Sequence, residues 1–132
     1  MKNERHAFQD EVLGTMPWDE DEDGWVARVP GATFRIVLTG DERPDTRLLA
    51  SARALSADST KLTQQVESLL TTYAARVPGA ADEVLALGMD SVHLTRPNRP
   101  GDGMIFFTGP DEHRVWRCDY VAGRPQDLGF DD

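Results

Sequence analysis

Ala32-Thr33-Phe34-Arg35-Ile36-Val37-Leu38-Thr39, then the breaker Gly40-Asp41-Glu42-Arg43-Pro44, then Asp45-Thr46-Arg47-Leu48-Leu49-Ala50-Ser51-Ala52, contains the change of rhythm that decides the fold. In the first segment Phe34, Ile36 and Leu38 share one side while Thr33, Arg35, Val37 and Thr39 share the other. That two-residue alternation belongs to a half-buried antiparallel strand. From Asp45 the period lengthens: Leu48, Leu49, Ala52 and Leu55 form one stripe, and Leu62, Val66, Leu69, Leu70, Tyr73 and Val77 form a second at steps of three and four. These spacings predict two amphipathic helices.

Outward from this junction the signals remain clustered by type. Toward the N-terminus, Gly24 to Pro30 reads as a strand joined to the quoted one by a tight Pro30-Gly31 turn, and Phe8 to Trp18 alternates mildly. Toward the C-terminus, Asp58 or Ser59 is placed to cap the second helix, while Val77-Pro78-Gly79 ends it by removing a donor and supplying a left-handed position. Asp82 to Leu87, closed by Gly88, reads as a short helical segment; Ser91 to Arg96, Met104 to Thr108 and His113 to Val121 read as strands separated by Gly- and Pro-rich turns. Strands, then helices, then strands predict an α+β fold: a mostly antiparallel sheet of about six strands, with two to three helices inserted centrally and packed on one face. Phe34, Ile36 and Leu38, together with Trp116, Cys118 and Tyr120, are expected on the helix-covered face, against Leu62, Val66, Leu69 and Tyr73.

With 132 residues, 39% of them apolar, residues 1–132 read as a single domain with one core. Acidic residues number 23 against 14 basic, a net charge of −9, which opposes nonspecific attachment to nucleic acid or an anionic membrane and favours a neutral or basic protein partner. Twelve of the basic residues are Arg, which carries no functional weight by itself. The lone Cys118 excludes an intrachain disulfide and a thiolate zinc cluster. The start of the chain is polar and no apolar run approaches the roughly twenty residues of a membrane span, so a cytoplasmic location is expected. Oligomeric state is not legible from these features.

Trp18-Asp19-Glu20-Asp21-Glu22-Asp23-Gly24-Trp25 is the segment with a chemical accent. Asp19, Asp21, Asp23 and Gly24 match the opening of a calcium loop, in which alternate carboxylates converge and glycine permits the turn. The closing half departs from that pattern, since the twelfth position from Asp19 is Pro30, without a side-chain oxygen, and a strand follows instead of a helix. A solvated acidic turn is therefore the preferred reading, with no metal and no cofactor, and Asp19, Glu20, Asp21, Glu22 and Asp23 are the candidate partner-binding residues.

Other candidates fall to simpler readings. Cys118 lies between two aromatics and is expected to be a small core residue with a raised pKa. His6, His93 and His113 are scattered, without metal-ligand spacing, and are expected on solvated surface. The glycines of Pro100-Gly101-Asp102-Gly103 precede a strand, whereas a phosphate cradle needs them to open a helix. Arg96, Arg99, Arg114, Arg117 and Arg124 alternate with carboxylates and make a mixed surface. Leu128 and Phe130 are expected to anchor the C-terminus on the body; a hook into a partner is the alternative.

The run from Asp10 to Gly14, Trp18-Asp19, the acidic turn to Trp25, the strand ending near Leu38-Thr39-Gly40-Asp41, the two helices, and Val115-Trp116-Arg117 through Gly123-Arg124-Pro125 to Leu128-Gly129-Phe130-Asp131 resemble, in outline, small bacterial single-domain α+β proteins of unknown function. Some proteins of that shape are thought to act as immunity partners of secreted toxins. The resemblance spans most of the chain, includes no catalytic motif and transfers no functional residue; it implies binding rather than catalysis. Two other classes stay open: a small enzyme with a site assembled from scattered His, Arg and Asp, and a weak calcium-binding module.

Overall fold

A computed structural model describes residues 5–131. In chain order the elements are β1 (Phe8–Asp10), β2 (Gly14–Met16), β3 (Trp18–Asp19), β4 (Gly24–Arg28), β5 (Arg35–Leu38), α1 (Thr46–Ala57), α2 (Ser59–Arg76), a 3-10 turn (Pro78–Ala80), α3 (Ala81–Leu85), β6 (Gly88–Leu94), β7 (Gly103–Thr108), β8 (Val115–Val121) and β9 (Arg124–Asp131). Strands β1 and β2 form a separate hairpin, and the other seven make one sheet in the order β3-β4-β5-β6-β7-β8-β9.

The α+β class holds, but the sheet is mixed rather than mostly antiparallel, because β5 and β6 run parallel, with Arg35 beside Ser91 and Leu38 beside Leu94. A parallel pair needs a long crossover, and the inserted helices supply it. A chain that leaves β5, passes through α1, α2 and α3 beside the sheet and then returns delivers its next strand in the same direction. The sheet also has seven strands where the sequence reading counts about six. Strand β9 turns the expected apolar tail into a paired edge, and the Phe8 to Trp18 stretch, read as one alternating segment, is broken by a turn at residues 11–13 into the β1–β2 hairpin, leaving only the two-residue β3 on the main sheet. Leu128 packs against the core, whereas Phe130 is 42% exposed and lies on the Trp116 ring with centroids 4.8 Å apart.

Strand alternation is read out directly in the packing. Across the sheet, Ala27, Ile36, Val92, Ile105 and Cys118 stand side by side in one fully buried row, and Trp25, Leu38 and Leu94 form a second. Helix α1 lays Leu48, Leu49, Ala52 and Leu55 against this face, and α2 adds Leu62, Val66, Leu70 and Ala74. Each fully buried Leu or Ile contributes about 1.5–3 kcal/mol relative to exposure. Both predicted trios are therefore on the covered face. The Trp25 indole N–H is satisfied by the Gly40 carbonyl at 3.1 Å, so the core includes a large aromatic without an orphaned donor.

The helix ends follow the sequence only in part. Asp45 caps α1 by accepting from the Arg47 and Leu48 amides at 2.9 and 3.3 Å. Asp58 occupies the cap position of α2 but its side chain makes no cap bond, and Ser59 serves instead as a carbonyl acceptor for the Thr63 hydroxyl. Helix α2 stops at Arg76, as Pro78 requires, yet Gly79 joins the 3-10 turn and does not take the left-handed position read into it.

The β1–β2 hairpin is tied down by one carboxylate. Asp10, at its end, accepts from the Val12 and Leu13 amides at 3.1 and 2.9 Å and from the guanidinium of Arg53 on α1. The Arg53 hydrogen bond outweighs burial and holds the Asp10 pKa down to about 2.

Candidate functional site

Alternation that buries one side of the sheet presents another set of side chains on the side without helices. Two rows cross this open face: Val26, Val37, His93, Met104 and Asp119 in one, and Arg28, Arg35, Ser91, Phe106 and Arg117 in the other. The acidic turn folds toward these rows. Glu22 reaches the Arg35 guanidinium at 3.2 Å and His93 Nε2 at 3.3 Å, and Arg35 also contacts Asp90 at 3.3 Å. His93 Nε2 lies 3.1 Å from the Ser91 hydroxyl, and the edge of its ring meets Phe106 at a centroid distance of 4.9 Å.

The turn is shaped from within. The Asp19 carboxylate accepts from the Asp21 and Glu22 amides at 2.9 and 3.2 Å, and Asp23 donates its amide to the Glu20 carbonyl at 3.2 Å. Asp23 itself takes the left-handed conformation, at φ 52°, which Asp tolerates better than most residues. Gly24 is required for a different reason than a calcium loop would supply. A Cβ at Gly24 would sit 2.6 Å from Val37 Cγ1 and 2.9 Å from the Leu38 carbonyl, so the glycine lets β4 close onto β5.

The five carboxylates thus divide by role. Asp19 is spent on local amides and Glu22 on Arg35 and His93, whereas Glu20, Asp21 and Asp23 are exposed and make no ion pair among the described residues. Among the described residues no group of three or more His, Cys, Asp or Glu side chains is placed to hold a metal ion.

His93 departs from the expected solvated histidine. Its side chain keeps only 20% of its exposure, and desolvation pulls its pKa below the usual range; Glu22 acts upward and Arg35 downward. A Glu–His–Ser grouping invites a nucleophilic reading, but both partners address the same nitrogen. A catalytic histidine needs the carboxylate on one ring nitrogen and the hydroxyl on the other. Ser91 is also only 1% exposed, so its oxygen has no access to a substrate. Sequence alternation places His93 and Arg35 on polar faces, but only the parallel β5–β6 register brings them together beneath the turn.

The remaining candidates are placed plainly. Cys118 is fully buried, and burial, with Asp119 adding to it, pushes its thiol up to about 12. His113 is on exposed surface, with Glu112 at 3.8 Å. Arg114 and Trp116 both donate to Glu83 on α3, and the Arg114 guanidinium lies 4.8 Å from the Phe130 ring centre. Arg117 pairs with Asp131 at 2.8 Å. No helix among the described residues is long and apolar enough to cross a membrane. No protein-family model, no curated protein and no solved structure matches this chain.

Proposed function

We propose that this protein acts by binding a basic protein on the open face of its sheet, with the acidic turn at the rim of the contact. One observation carries the reading: Glu22 is turned inward and anchors the loop on the face that also carries the partly exposed Val26, Met104 and Phe106, while Glu20, Asp21 and Asp23 stay exposed. Unpaired carboxylates on a turn anchored to a face with partly exposed apolar side chains combine an electrostatic lure with a surface to bury. The net charge of −9 adds a long-range field of the same sign. An immunity-type role, in which a small acidic cytoplasmic protein masks a basic toxin, is the biological form that suits this chemistry.

The test is kinetic. A partner recovered from the native host is measured against wild type and against the triple variant Glu20→Gln, Asp21→Asn, Asp23→Asn. The variant is expected to associate about tenfold more slowly at low salt, and added salt should slow wild type far more than the variant. An association rate indifferent to both salt and substitution removes the turn from the mechanism.

A second reading has one specific observation behind it. His93, partly buried beside Glu22 and Ser91, is the kind of perturbed titratable group that catalytic sites use. Turnover by the pure protein that disappears in His93→Gln would replace the binding reading.

A further inference from the structure

On the helix side, far from the acidic turn in the sheet order, a pocket of about 300 Å³ opens between the α1–α2 corner and the turns that flank β7, β8 and β9. Leu55 and Leu62 give it apolar walls; Ser51, Asp58, Lys61, Gln65 and Tyr120 supply polar groups; Gly101 and Gly123 close the far side with backbone. That far side is prearranged. The Gly123 amide donates to the Gly101 carbonyl at 3.0 Å, the Ala122 amide donates to Asp102 at 2.9 Å, and Ala122 and Gly123 take φ 50° and 80° as a tight two-residue hairpin turn requires.

Three unspent groups converge here. Tyr120 is only 8% exposed, yet its hydroxyl makes no hydrogen bond among the described residues. The oxygen itself reaches solvent through the pocket, since no buried side-chain polar atom among the described residues is left unsatisfied. Asp58 and Lys61, three residues apart at the start of α2, make no ion pair with each other or with any other described residue. One carboxylate and one ammonium on exposed residues, and one phenol hydroxyl that reaches the cavity, therefore line a space walled by Leu55 and Leu62 and bordered also by Ser51 and Gln65.

We propose that this pocket binds a free apolar α-amino acid, with its ammonium at Asp58, its carboxylate between Lys61 and the Tyr120 hydroxyl, and its side chain on Leu55 and Leu62. A simple fatty acid would leave Asp58 facing an anion without compensation. An amine alone would leave Lys61 and Tyr120 unused. The zwitterion uses all three groups, and the apolar side chain uses the walls.

The test is a titration of the isotopically labelled full chain by NMR with L-leucine, L-valine and L-phenylalanine in turn. Saturable shifts are expected at the Gly101, Ala122 and Gly123 amides for at least one of them. Leucinamide, which lacks the carboxylate, and 4-methylpentanoate, which lacks the ammonium, should each bind at least about tenfold more weakly than leucine. Tyr120→Phe should weaken binding by about fivefold. Lys61→Ala, at an exposed position that leaves packing intact, should do the same if the phenylalanine variant folds poorly. Absence of saturable shifts with all three amino acids up to about 10 mM overturns the proposal. So does 4-methylpentanoate binding as tightly as leucine, or binding indifferent to both substitutions.

Discussion

The two faces of the sheet come from the same strands, one residue out of step, and hold together by different physics. On the covered face Ala27, Ile36, Val92, Ile105 and Cys118 are interchangeable in kind: each contributes by leaving water, and its neighbours need only the right volume. On the open face Arg35, Glu22, Asp90 and His93 contribute by identity, since each carries a charge or ring nitrogen matched to a particular neighbour. An area-driven face tolerates conservative exchange and collapses when volume is lost. A pairing-driven face loses little when one exposed partner goes, because water replaces it. The contrast marks the covered face as structural and puts the residue-specific pairings on the open one.

Substitutions can break that contrast, beginning with the largest expected effect. Trp116→Ala removes a fully buried indole that meets Tyr73 edge-on at 5.7 Å, and should cost about 3–5 kcal/mol in urea unfolding. A loss under about 1 kcal/mol would mean that the covered face is not the core. Asp10→Asn should cost about 1–3 kcal/mol, because it weakens the only carboxylate joining the β1–β2 hairpin to α1 among the described residues. Its pH dependence has a definite sign. A depressed carboxylate pKa contributes stability in full above its ordinary 3.8 and loses it as pH falls through about 2, so the wild-type advantage should shrink only in that acid window.

On the open face the effects should be smaller. His93 has a lowered pKa, so the unfolded chain takes up a proton first as pH falls, and folding should weaken as the pH drops through and below the ordinary histidine value of 6.5. His93→Gln should flatten the unfolding midpoint across that range; an unchanged slope would show that another group titrates there. Smallest of all, neutralising Glu20, Asp21 and Asp23 together should shift stability by no more than about 0.5 kcal/mol, measured by thermal unfolding. A larger loss would show that the turn holds the fold together and is not a dispensable exposed loop.

The covered face was legible because alternation and helical period are local. Phe34, Ile36 and Leu38 and the stripe from Leu62 to Tyr73 declare their orientation without knowledge of any distant residue. The parallel β5–β6 pair was not legible, since its register is set by where three helices return the chain. Strand β9 was hidden by Pro125, Gly129 and Asp127, residues poor in strand propensity; Asp127 takes φ 57° beside the irregularity in the β8–β9 register. At the candidate site, the acidic run was visible but its division of labour was not. Gly24 read as the turn residue, whereas Asp23 makes the turn and Gly24 permits a close approach. Glu22, Arg35 and His93 meet only through the sheet register, which no local signal encodes.

The parallel pairing of β5 with β6 also governs how fast the molecule can form. Every other pair of neighbours in the main sheet joins strands that follow one another in the chain, so those contacts close over short loops. Arg35 can meet Ser91 only after the whole helical insertion has been ordered or looped out. That single seam gives the protein its most sequence-distant contacts within the sheet, the kind whose loop-closure entropy slows folding. Without it, the strands before and after the helices would be two half-sheets with additional unpaired edges at β5 and β6, the kind of edge that invites pairing with another chain.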